Sequence, residues 1–427
     1  MRTLEIDDLR VTLDCEGAGQ YRKVSYPVRY GLYWEIATPR FVYQFNLNGE
    51  VKFLQGRKEG WPHPAEWLKR TPADDWLYYF SGEYGELYNL TGEFYLPLPS
   101  YPTNALLGGD PFSLPSVRGA LDSLGPLWKR LRRLTATQTP PQARLFLERA
   151  SQADGAYLRR RALRLHEVLN CRPSVLPPDA RHADYDVLPV VVADGCASNC
   201  RFCRVKSGRA FLARRRGDVL GQIEGIRDLF GEDLLNYNSV FLADHDALRA
   251  GADLLELAAV ESYERFGLAH SRLDGANLFL FGSADALARA EEALFERLDR
   301  LPYNTYINVG LESPDEATLK ELGKPVSPAV VKEAFERMLD VNRRYSRIEV
   351  TVNLVFGQGL PPGHLPVVSE LLSAVPERTC VKGAAYLSPL VWGGRPDGRE
   401  RKRLLDEFRQ VKFSSRLPVY LYLILRL

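Results

Sequence analysis

The chain has 427 residues, of which 45% are hydrophobic and 26% are charged, so we expect a sizeable core and exclude wholesale disorder. Its 56 basic and 54 acidic side chains give a net charge of +2, which excludes the strong positive excess of a dedicated nucleic-acid-binding protein. The longest apolar run, residues 419–425, is far shorter than the roughly 20 residues of a transmembrane helix. Acidic residues stand at the amino terminus where a secretory signal would be apolar, so we expect a cytoplasmic protein.

Residues 1–105 have the pattern of a small β-rich domain. Residues 43–47 alternate toward a turn at Asn48-Gly49, and residues 51–54 continue after the turn, as in a hairpin. Residues 76–101 contain nine aromatic side chains. Packed strands would bury such side chains in their core, and the alternative is a ligand-binding aromatic wall.

Residues 106–180 are predicted to form a helical bridge and a proline-rich linker. Apolar periodicity favours helices over residues 116–134 and 140–170. Prolines at positions 173, 177 and 178 then interrupt the helical pattern. We therefore expect a domain boundary there, before a third region that covers residues 181–427.

Short apolar runs alternate with amphipathic helices in this third region. Strands are predicted at residues 187–193, 239–243, 277–281, 306–311, 349–356 and 381–387. The clearest helix covers residues 284–301, with Ser283 as its amino-terminal cap. The alternation predicts an α/β fold, a partial (β/α)6 barrel with a carboxyl-terminal extension, whose ligands gather at the carboxyl ends of the strands.

Three of the six cysteines fall together directly after the first of these strands. Cys196, Cys200 and Cys203 have the spacing C-x3-C-x2-C, which chance produces on the order of once in a thousand such chains. Three thiolates on so short a loop can hold a metal centre, and a four-iron cluster held by three has one iron open to another ligand. The alternatives are a zinc site with a distant fourth ligand, or buried thiols that act as small hydrophobic side chains.

The buried strand and the cysteine loop, with the aromatic Phe202 before the last cysteine, resemble the radical SAM superfamily. The resemblance implies an enzyme in which Cys196, Cys200 and Cys203 hold a 4Fe-4S cluster whose open iron binds S-adenosyl-L-methionine. Reductive cleavage would yield a 5′-deoxyadenosyl radical that abstracts hydrogen from an unidentified small-molecule or peptide substrate. It also implies a low-potential electron donor, either flavodoxin or ferredoxin.

Later strand ends are similar to those of the branch that includes oxygen-independent coproporphyrinogen oxidase and the elongator-like proteins. At the matching positions, Ala243 and Asp244 would bind the amino group of the methionine moiety, unless this turn only caps the next helix. Glu312 would bind ribose or methionine, Lys324 the carboxylate, and Asn353 the ribose. Without the cysteine loop, Glu312 and Lys324 would be ordinary surface residues.

Other features leave several interpretations open. Residues 201–216 carry seven basic side chains and no acidic one, which suits an acidic electron donor, nucleic acid phosphates or a solvated loop. An RNA-modifying enzyme of the same superfamily and a non-catalytic iron-sulfur protein for electron transfer or regulation are the alternative functions. Cys380 is a buried thiol or a radical relay. A second cluster and a cobalamin domain are not expected.

Overall fold

A computed structural model of the chain describes most of its residues. The described ranges are 1–21, 29–57, 60–82, 84–98, 106–107, 110–137, 139–172, 175–203, 208–376, 382–391 and 396–427. Two sheets dominate the fold: an antiparallel sheet near the amino terminus and a parallel sheet in the second half of the chain. Helices pack against both sheets.

The amino-terminal sheet has eight antiparallel strands in sequential order. They are β1 (Arg2–Ile6), β2 (Leu9–Glu16), β3 (Leu32–Ala37), β4 (Phe41–Phe45), β5 (Val51–Gly56), β6 (Trp67–Arg70), β7 (Trp76–Phe80) and β8 (Leu96–Leu98). Strand β2 alternates between buried and exposed side chains, which is the pattern of a strand with one face on a core. The predicted hairpin is confirmed, because β4 and β5 pair around Gly49, whose φ is +80°.

The aromatic segment is only partly strand, so the prediction of packed strands throughout is wrong. A helix, α1 (Tyr84–Thr91), lies between β7 and β8. The spacing of three residues between Leu87 and Leu90 puts both on one face of this helix, where they are buried in the barrel core. Tyr79 and Tyr95 are fully buried and donate hydrogen bonds to Asp184. These rings belong to the core, and Tyr101 lies outside the described residues.

Four helices, where two were predicted, follow the first sheet. They are α2 (Pro115–Asp122), α3 (Leu124–Ala136), α4 (Pro141–Gln152) and α5 (Gly155–Leu169). The long predicted helix breaks at Asp154, whose side chain accepts hydrogen bonds from the backbone N–H groups of Ala156 and Tyr157 and so begins a new helix. Helices α2 to α4 share a core with the first sheet, whereas Leu165 and Leu169 of α5 join the core of the second. The domain boundaries at 105 and 180 stay predictions.

The second half of the chain is an α/β unit around seven parallel strands, as the sequence predicts for the fold class. The strands are β9 (Leu188–Val191), β12 (Ser239–Ala243), β13 (Asn277–Ser283), β14 (Asn304–Glu312), β15 (Ile348–Gly357), β16 (Ala385–Leu390) and β17 (Val419–Leu421), while β10 (Ala193–Asp194) and β11 (Leu212–Ala213) form a small antiparallel pair. The helices are α6 (Arg216–Phe230), α7 (Ala252–Arg265), α8 (Ala284–Ala288), α9 (Glu292–Arg300), α10 (Glu316–Leu322), α11 (Pro328–Arg344), α12 (His364–Ser373) and α13 (Gly398–Ser414). The order β9-β12-β13-β14-β15-β16-β17 makes a partial barrel.

Three details of this unit differ from the prediction. The helix expected over residues 284–301 is divided into α8 and α9, and the carbonyl of Ala290 between them accepts from Arg337 at 3.4 Å. Ser283 does not cap α8 through its side chain, because its hydroxyl donates to Asp246. The sixth strand begins at residue 385, since Gly383 binds the side chain of Glu349 through its N–H group. Cys380 lies outside the described residues.

A buried polar network connects the two sheets. Asp184 is fully buried and accepts hydrogen bonds from Tyr30, Tyr79 and Tyr95, at 2.7 to 3.0 Å. Lys69 of β6 lies 2.8 Å from Asp186, just before β9. Burial opposes ionisation of Asp186, but Lys52 and Lys69 more than offset it and lower its pKa. Every charge in this network has an opposite partner, so no charge is buried alone where the first sheet meets the barrel.

Two further segments complete the barrel. A 3₁₀ turn, Pro178–Ala183, covers the end of the sheet where the strands begin, and His182 stacks on Tyr306 of β14 with ring centres 4.7 Å apart. At the gap between β9 and β17, Leu176 N donates to the carbonyl of Leu425 at 2.8 Å and the Tyr422 hydroxyl donates to the carbonyl of Leu176 at 2.7 Å. We call this contact the seam. None of the described helices combines the length and apolar character needed to cross a bilayer.

Candidate functional site

A cavity of about 230 Å³ opens at the carboxyl ends of the barrel strands. Six of the eight residues that the sequence nominates line it, namely Cys196, Cys200, Cys203, Glu312, Lys324 and Asn353. They come from the loop after β9, the end of β14, the segment after α10 and the upper part of β15. The parallel sheet therefore brings together side chains that are as much as 157 positions apart in sequence.

The cysteine loop is closed at its base by a backbone contact that needs glycine. Gly195 has φ +74°, and a Cβ atom there would lie 2.2 Å from the carbonyl oxygen of Ala210. The N–H of Cys196 donates to the carbonyl of Arg209 at 3.2 Å. Strands β10 and β11 continue this contact, so the loop begins and ends at one fixed point.

The basic residues after the last cysteine are in part structural. Arg214 makes two hydrogen bonds to Asp194, of 2.8 and 2.7 Å, and so ties β11 to β10. Arg204 and Lys206 lie outside the described residues. The positive charge of Arg214 is therefore neutralised by Asp194 within the same loop.

The far side of the loop is held by the segment after α10. Arg201 N donates to the carbonyl of Leu322 at 2.8 Å, and Gly323, with φ +64°, ends α10 next to Arg201. The N–H of Ser198 lies 3.4 Å from the Cys196 sulfur. Cys200 is buried, and burial raises the pKa of its thiol to about 11, although Lys324 opposes the shift.

The donor set fits an iron-sulfur cluster. The three cysteines belong to one loop and line one cavity. Thiolates that bind a cluster attach to different iron atoms and so need more separation than the ligands of one ion.

Glu312 and Lys324 form a buried ion pair beside the cysteines. The Lys324 ammonium lies 2.9 Å from Glu312 Oε1 and donates to the carbonyl of Gly310 at 2.7 Å. Burial alone would lower the pKa of Lys324, but Glu312 and Cys200 outweigh it, and the pKa lies above its usual value. Glu312 has φ +66°, uncommon for a residue other than glycine, and conformations of this kind concentrate at functional sites.

In the turn after β12, the residues that line the cavity are not the two that the sequence nominates. His245 and Asp246 line the cavity, whereas Ala243 and Asp244 are not among its lining residues. Asp246 accepts from the N–H and hydroxyl groups of Ser283 and from Arg249, at 2.9 to 3.0 Å. Binding by Ala243 and Asp244 stays a prediction.

Asn353 is one end of a chain of hydrogen-bonded polar side chains in the barrel interior. Its amide nitrogen donates to Asn308, and its carbonyl oxygen is buried with no hydrogen-bond partner among the described residues. Asn308 and Thr351, which the sequence analysis did not nominate, connect it to Asp179. Burial and Glu349 raise the pKa of Asp179 to about 6. The signal for Asn308 was available, since an asparagine in an apolar strand needs a partner.

The remaining wall of the cavity is largely apolar. The side chains that form it are Val175, Phe202, Phe281, Pro389, Leu390, Val391, Tyr422 and Ile424. Residues on both sides of the seam contribute, and the Tyr422 hydroxyl is already hydrogen-bonded to the carbonyl of Leu176. This wall therefore presents mainly carbon atoms to a ligand.

Comparison with known proteins agrees with the motif. Residues 190–372 match the family model described as the radical SAM superfamily, which confirms the predicted family. No curated protein matches the chain.

Among the solved structures that match the chain are the following three proteins. A radical SAM methyltransferase from Sphaerobacter thermophilus shares 15% identity at a TM-score of 0.39, with 56% of this chain and 66% of that chain covered. The cobalamin-dependent S-adenosylmethionine radical enzyme OxsB shares 19% sequence identity at a TM-score of 0.32, and the match covers 53% of this chain and 30% of that chain. Methylornithine synthase (PylB) shares 13% sequence identity at a TM-score of 0.34, and the match covers 68% of this chain and 74% of that chain. This chain thus covers less than two thirds of the length of the first two proteins.

Proposed function

We propose that this chain, whose residues 190–372 match the radical SAM superfamily, starts radical chemistry by abstracting hydrogen from a small-molecule or peptide substrate. Enzymes of this superfamily use a 4Fe-4S cluster and S-adenosylmethionine. The observation that carries the proposal is the single cavity lined by Cys196, Cys200, Cys203, Glu312 and Lys324. Thiolates, an ammonium and a carboxylate that share one cavity would suit a zwitterionic nucleoside, and this supports the proposal.

The cysteines would hold the cluster. Bound there and reduced, the cluster would supply the electron for cleavage of the sulfonium carbon–sulfur bond of S-adenosylmethionine to methionine and a 5′-deoxyadenosyl radical. A flavodoxin or a ferredoxin is the proposed electron donor, because the reaction needs an external reductant of low potential.

Glu312 and Lys324 are suited to bind the polar end of the cofactor. Two of the three ammonium protons of Lys324 are used by Gly310 and Glu312, so one stays free to donate to a carboxylate. Oε2 of Glu312 can accept from a hydroxyl or ammonium group. Their ion pair also keeps either charge from being buried alone, which would cost several kcal/mol.

The part of the substrate that reaches this cavity is proposed to be uncharged. Glu312 is paired with Lys324, and Asp246 with Arg249 at 2.9 Å. The seam wall adds Tyr422, whose hydroxyl is already engaged. With the cofactor bound to Glu312 and Lys324, a substrate ion would meet no unpaired charge among the described side chains that line the cavity. A hydrocarbon or aromatic group would instead gain about 25 cal/mol for each Å² buried.

The test is cofactor cleavage by protein reconstituted with iron and sulfide without oxygen. With dithionite and S-adenosylmethionine, we expect the wild-type protein to release 5′-deoxyadenosine, measured by liquid chromatography. Cys200→Ala should lower this release about 100-fold or more, because losing even an outer-shell group costs 10- to 100-fold. Cys171→Ala, a cysteine outside the motif, should behave as wild type. Equal release by both variants, or none by wild type with an intact cluster, would refute the proposal.

A further inference from the structure

Four buried side chains form one hydrogen-bonded chain across the barrel interior. Thr351 Oγ1 donates to Asp179 Oδ2 at 2.7 Å, and Asn308 Nδ2 donates to Thr351 Oγ1 at 2.8 Å. Asn353 Nδ2 then donates to Asn308 Oδ1. None of the four residues exposes more than 8% of its surface. We call this set the relay.

Strand register explains how the relay forms. In the pairing of β14 with β15, Asn308 lies opposite Thr351 and Gly310 lies opposite Asn353. Residues two positions apart on a strand share a face, so Thr351 and Asn353 both point into the barrel. Asp179 enters from the 3₁₀ turn at the opposite end and also accepts from the Tyr386 hydroxyl at 3.2 Å. The relay therefore runs from one end of the barrel toward the cavity.

The carboxylate gives the relay a single direction. At neutral pH, above its pKa of about 6, Asp179 is ionised and only accepts hydrogen bonds, so Thr351 must donate its one hydroxyl proton to it. Thr351 can then only accept from Asn308, which must turn its NH₂ group toward Thr351 and its oxygen toward Asn353. Asn353 in turn must give its NH₂ group to Asn308. Each amide has one permitted orientation.

The free end of the relay is the carbonyl oxygen of Asn353. That atom is buried without a hydrogen-bond partner among the described residues, while Asn353 lines the cavity together with the cysteines. A buried acceptor without a donor costs about 1 to 3 kcal/mol. A ligand that donates a hydrogen bond there would remove this cost.

We propose that Asp179, Thr351 and Asn308 are positioning residues that commit Asn353 to present its carbonyl oxygen to the bound nucleoside. The site thereby selects a hydroxyl or N–H group of S-adenosylmethionine at this point and disfavours an acceptor. The proposal rests on the proposed function, because the ligand is the cofactor named there. It assigns a role to three residues that do not line the cavity.

The test compares two substitutions at Thr351 in reconstituted, oxygen-free protein. Thr351→Val keeps the shape of the side chain but removes the hydroxyl, so Asn308 and Asn353 are free to turn over. We expect the dissociation constant for S-adenosylmethionine, measured by calorimetry without reductant, to rise about 5- to 30-fold. Thr351→Ser restores the hydroxyl and should bind as wild type.

A double-mutant cycle separates positioning from mere packing. If the relay acts through Asn353, then Thr351→Val should add no loss of affinity in an Asn353→Leu background. Additive losses, or equal losses in Thr351→Ser and Thr351→Val, would overturn the proposal. Wild-type protein that carries a cluster but binds no S-adenosylmethionine would instead refute the proposed function.

Substitutions at Asp179 give a second, independent pair in case Thr351→Val does not fold. Asp179→Asn can still accept from Thr351 through its amide oxygen, so affinity should stay within about 2-fold of wild type. Asp179→Leu removes the acceptor and should weaken binding as Thr351→Val does. Equal affinities of the Asn and Leu variants would overturn the proposal.

Discussion

Gly310, Glu312 and Lys324 form one unit at the end of β14. The sheet register shifts between residues 310 and 312, and Glu312 adopts a left-handed backbone conformation. A Cβ atom on Gly310 would lie 2.6 Å from Glu312 Oε1 and 3.2 Å from the Lys324 ammonium. The missing side chain at position 310 therefore leaves the space that the ion pair fills.

This geometry makes Gly310→Ala a sensitive test of the ion pair. The added methyl group must displace Glu312 or Lys324, and losing one charge-assisted hydrogen bond costs about 1.5 to 3 kcal/mol. We expect the affinity for S-adenosylmethionine, measured by calorimetry on reconstituted protein, to fall about 10-fold or more.

Gly221→Ala is the matched control. Gly221 lies in α6, where an added Cβ atom meets nothing within 4 Å. The substitution should leave affinity unchanged and stabilise the helix by about 0.5 to 1 kcal/mol. Wild-type affinity in Gly310→Ala would show that the ion pair does not position the cofactor.

Sequence alone located six of the residues that line the cavity. Cys196 follows an apolar strand, Glu312 ends one and Asn353 lies within another, and parallel strands bring their carboxyl ends to one edge. Asp179 was missed because its role depends on a 3₁₀ turn that enters the barrel from the opposite end, and such a turn leaves no pattern in one sequence. Asn308 did leave a signal as an asparagine in an apolar strand, but its partner depends on strand register.

Among the elements, buried strands were easier to predict than helix ends. The apolar runs before and after the cysteine loop predict strands because both faces of a parallel sheet are covered. The break between α8 and α9 is invisible to periodicity, since Leu287, Leu294 and Leu298 keep a continuous helical spacing across it. Strand β17 was missed because three residues are too few for a periodic signal.

The polar network between the sheets predicts a large effect at Asp184. Asp184→Ala removes the acceptor to which the buried Tyr79 and Tyr95 hydroxyls donate, and also removes a charge near Lys69. Tyr30 loses one of its two acceptors and keeps Asp186. Breaking a buried polar or ionic cluster from one side costs about 3 to 5 kcal/mol. We expect a loss of this size in urea unfolding followed by tryptophan fluorescence.

Asp406→Ala serves as the comparison for this prediction. Asp406 is more than half exposed, at 55% of its side chain, and pairs with Arg409 on the surface of α13. Its removal should change the free energy of unfolding by no more than about 0.5 kcal/mol. A loss below about 1 kcal/mol in Asp184→Ala would contradict the role given to the network.

For the whole molecule, two buried carboxyl groups shape the dependence of stability on pH. Burial raises the pKa of both Asp179 and Asp233 from 3.8 to about 6. The native state therefore holds these protons more tightly than the unfolded chain. Their contribution to stability is fully present below about pH 4 and is lost as the pH rises toward 6.

Asp233→Asn should remove one of these two contributions. We expect the decrease in unfolding free energy between about pH 4 and pH 6 to be smaller than in wild type, by about 2 to 3 kcal/mol. Urea titrations at several pH values measure it. Asp228→Asn, at a side chain that is 74% exposed, should leave the slope unchanged. The same slope in both variants and in wild type would contradict the prediction.

The seam has a consequence for the order of events during folding. It joins Tyr422 to Leu176, 246 positions apart in sequence. Closing so long a loop carries a large entropic cost, so neighbouring strand–helix repeats should form before it. Until then, the cavity beside the three thiols lacks the wall that Val175 and Tyr422 supply. We therefore expect iron delivered after closure to yield intact clusters, and iron delivered to freshly diluted, still refolding chains to be lost to oxidation.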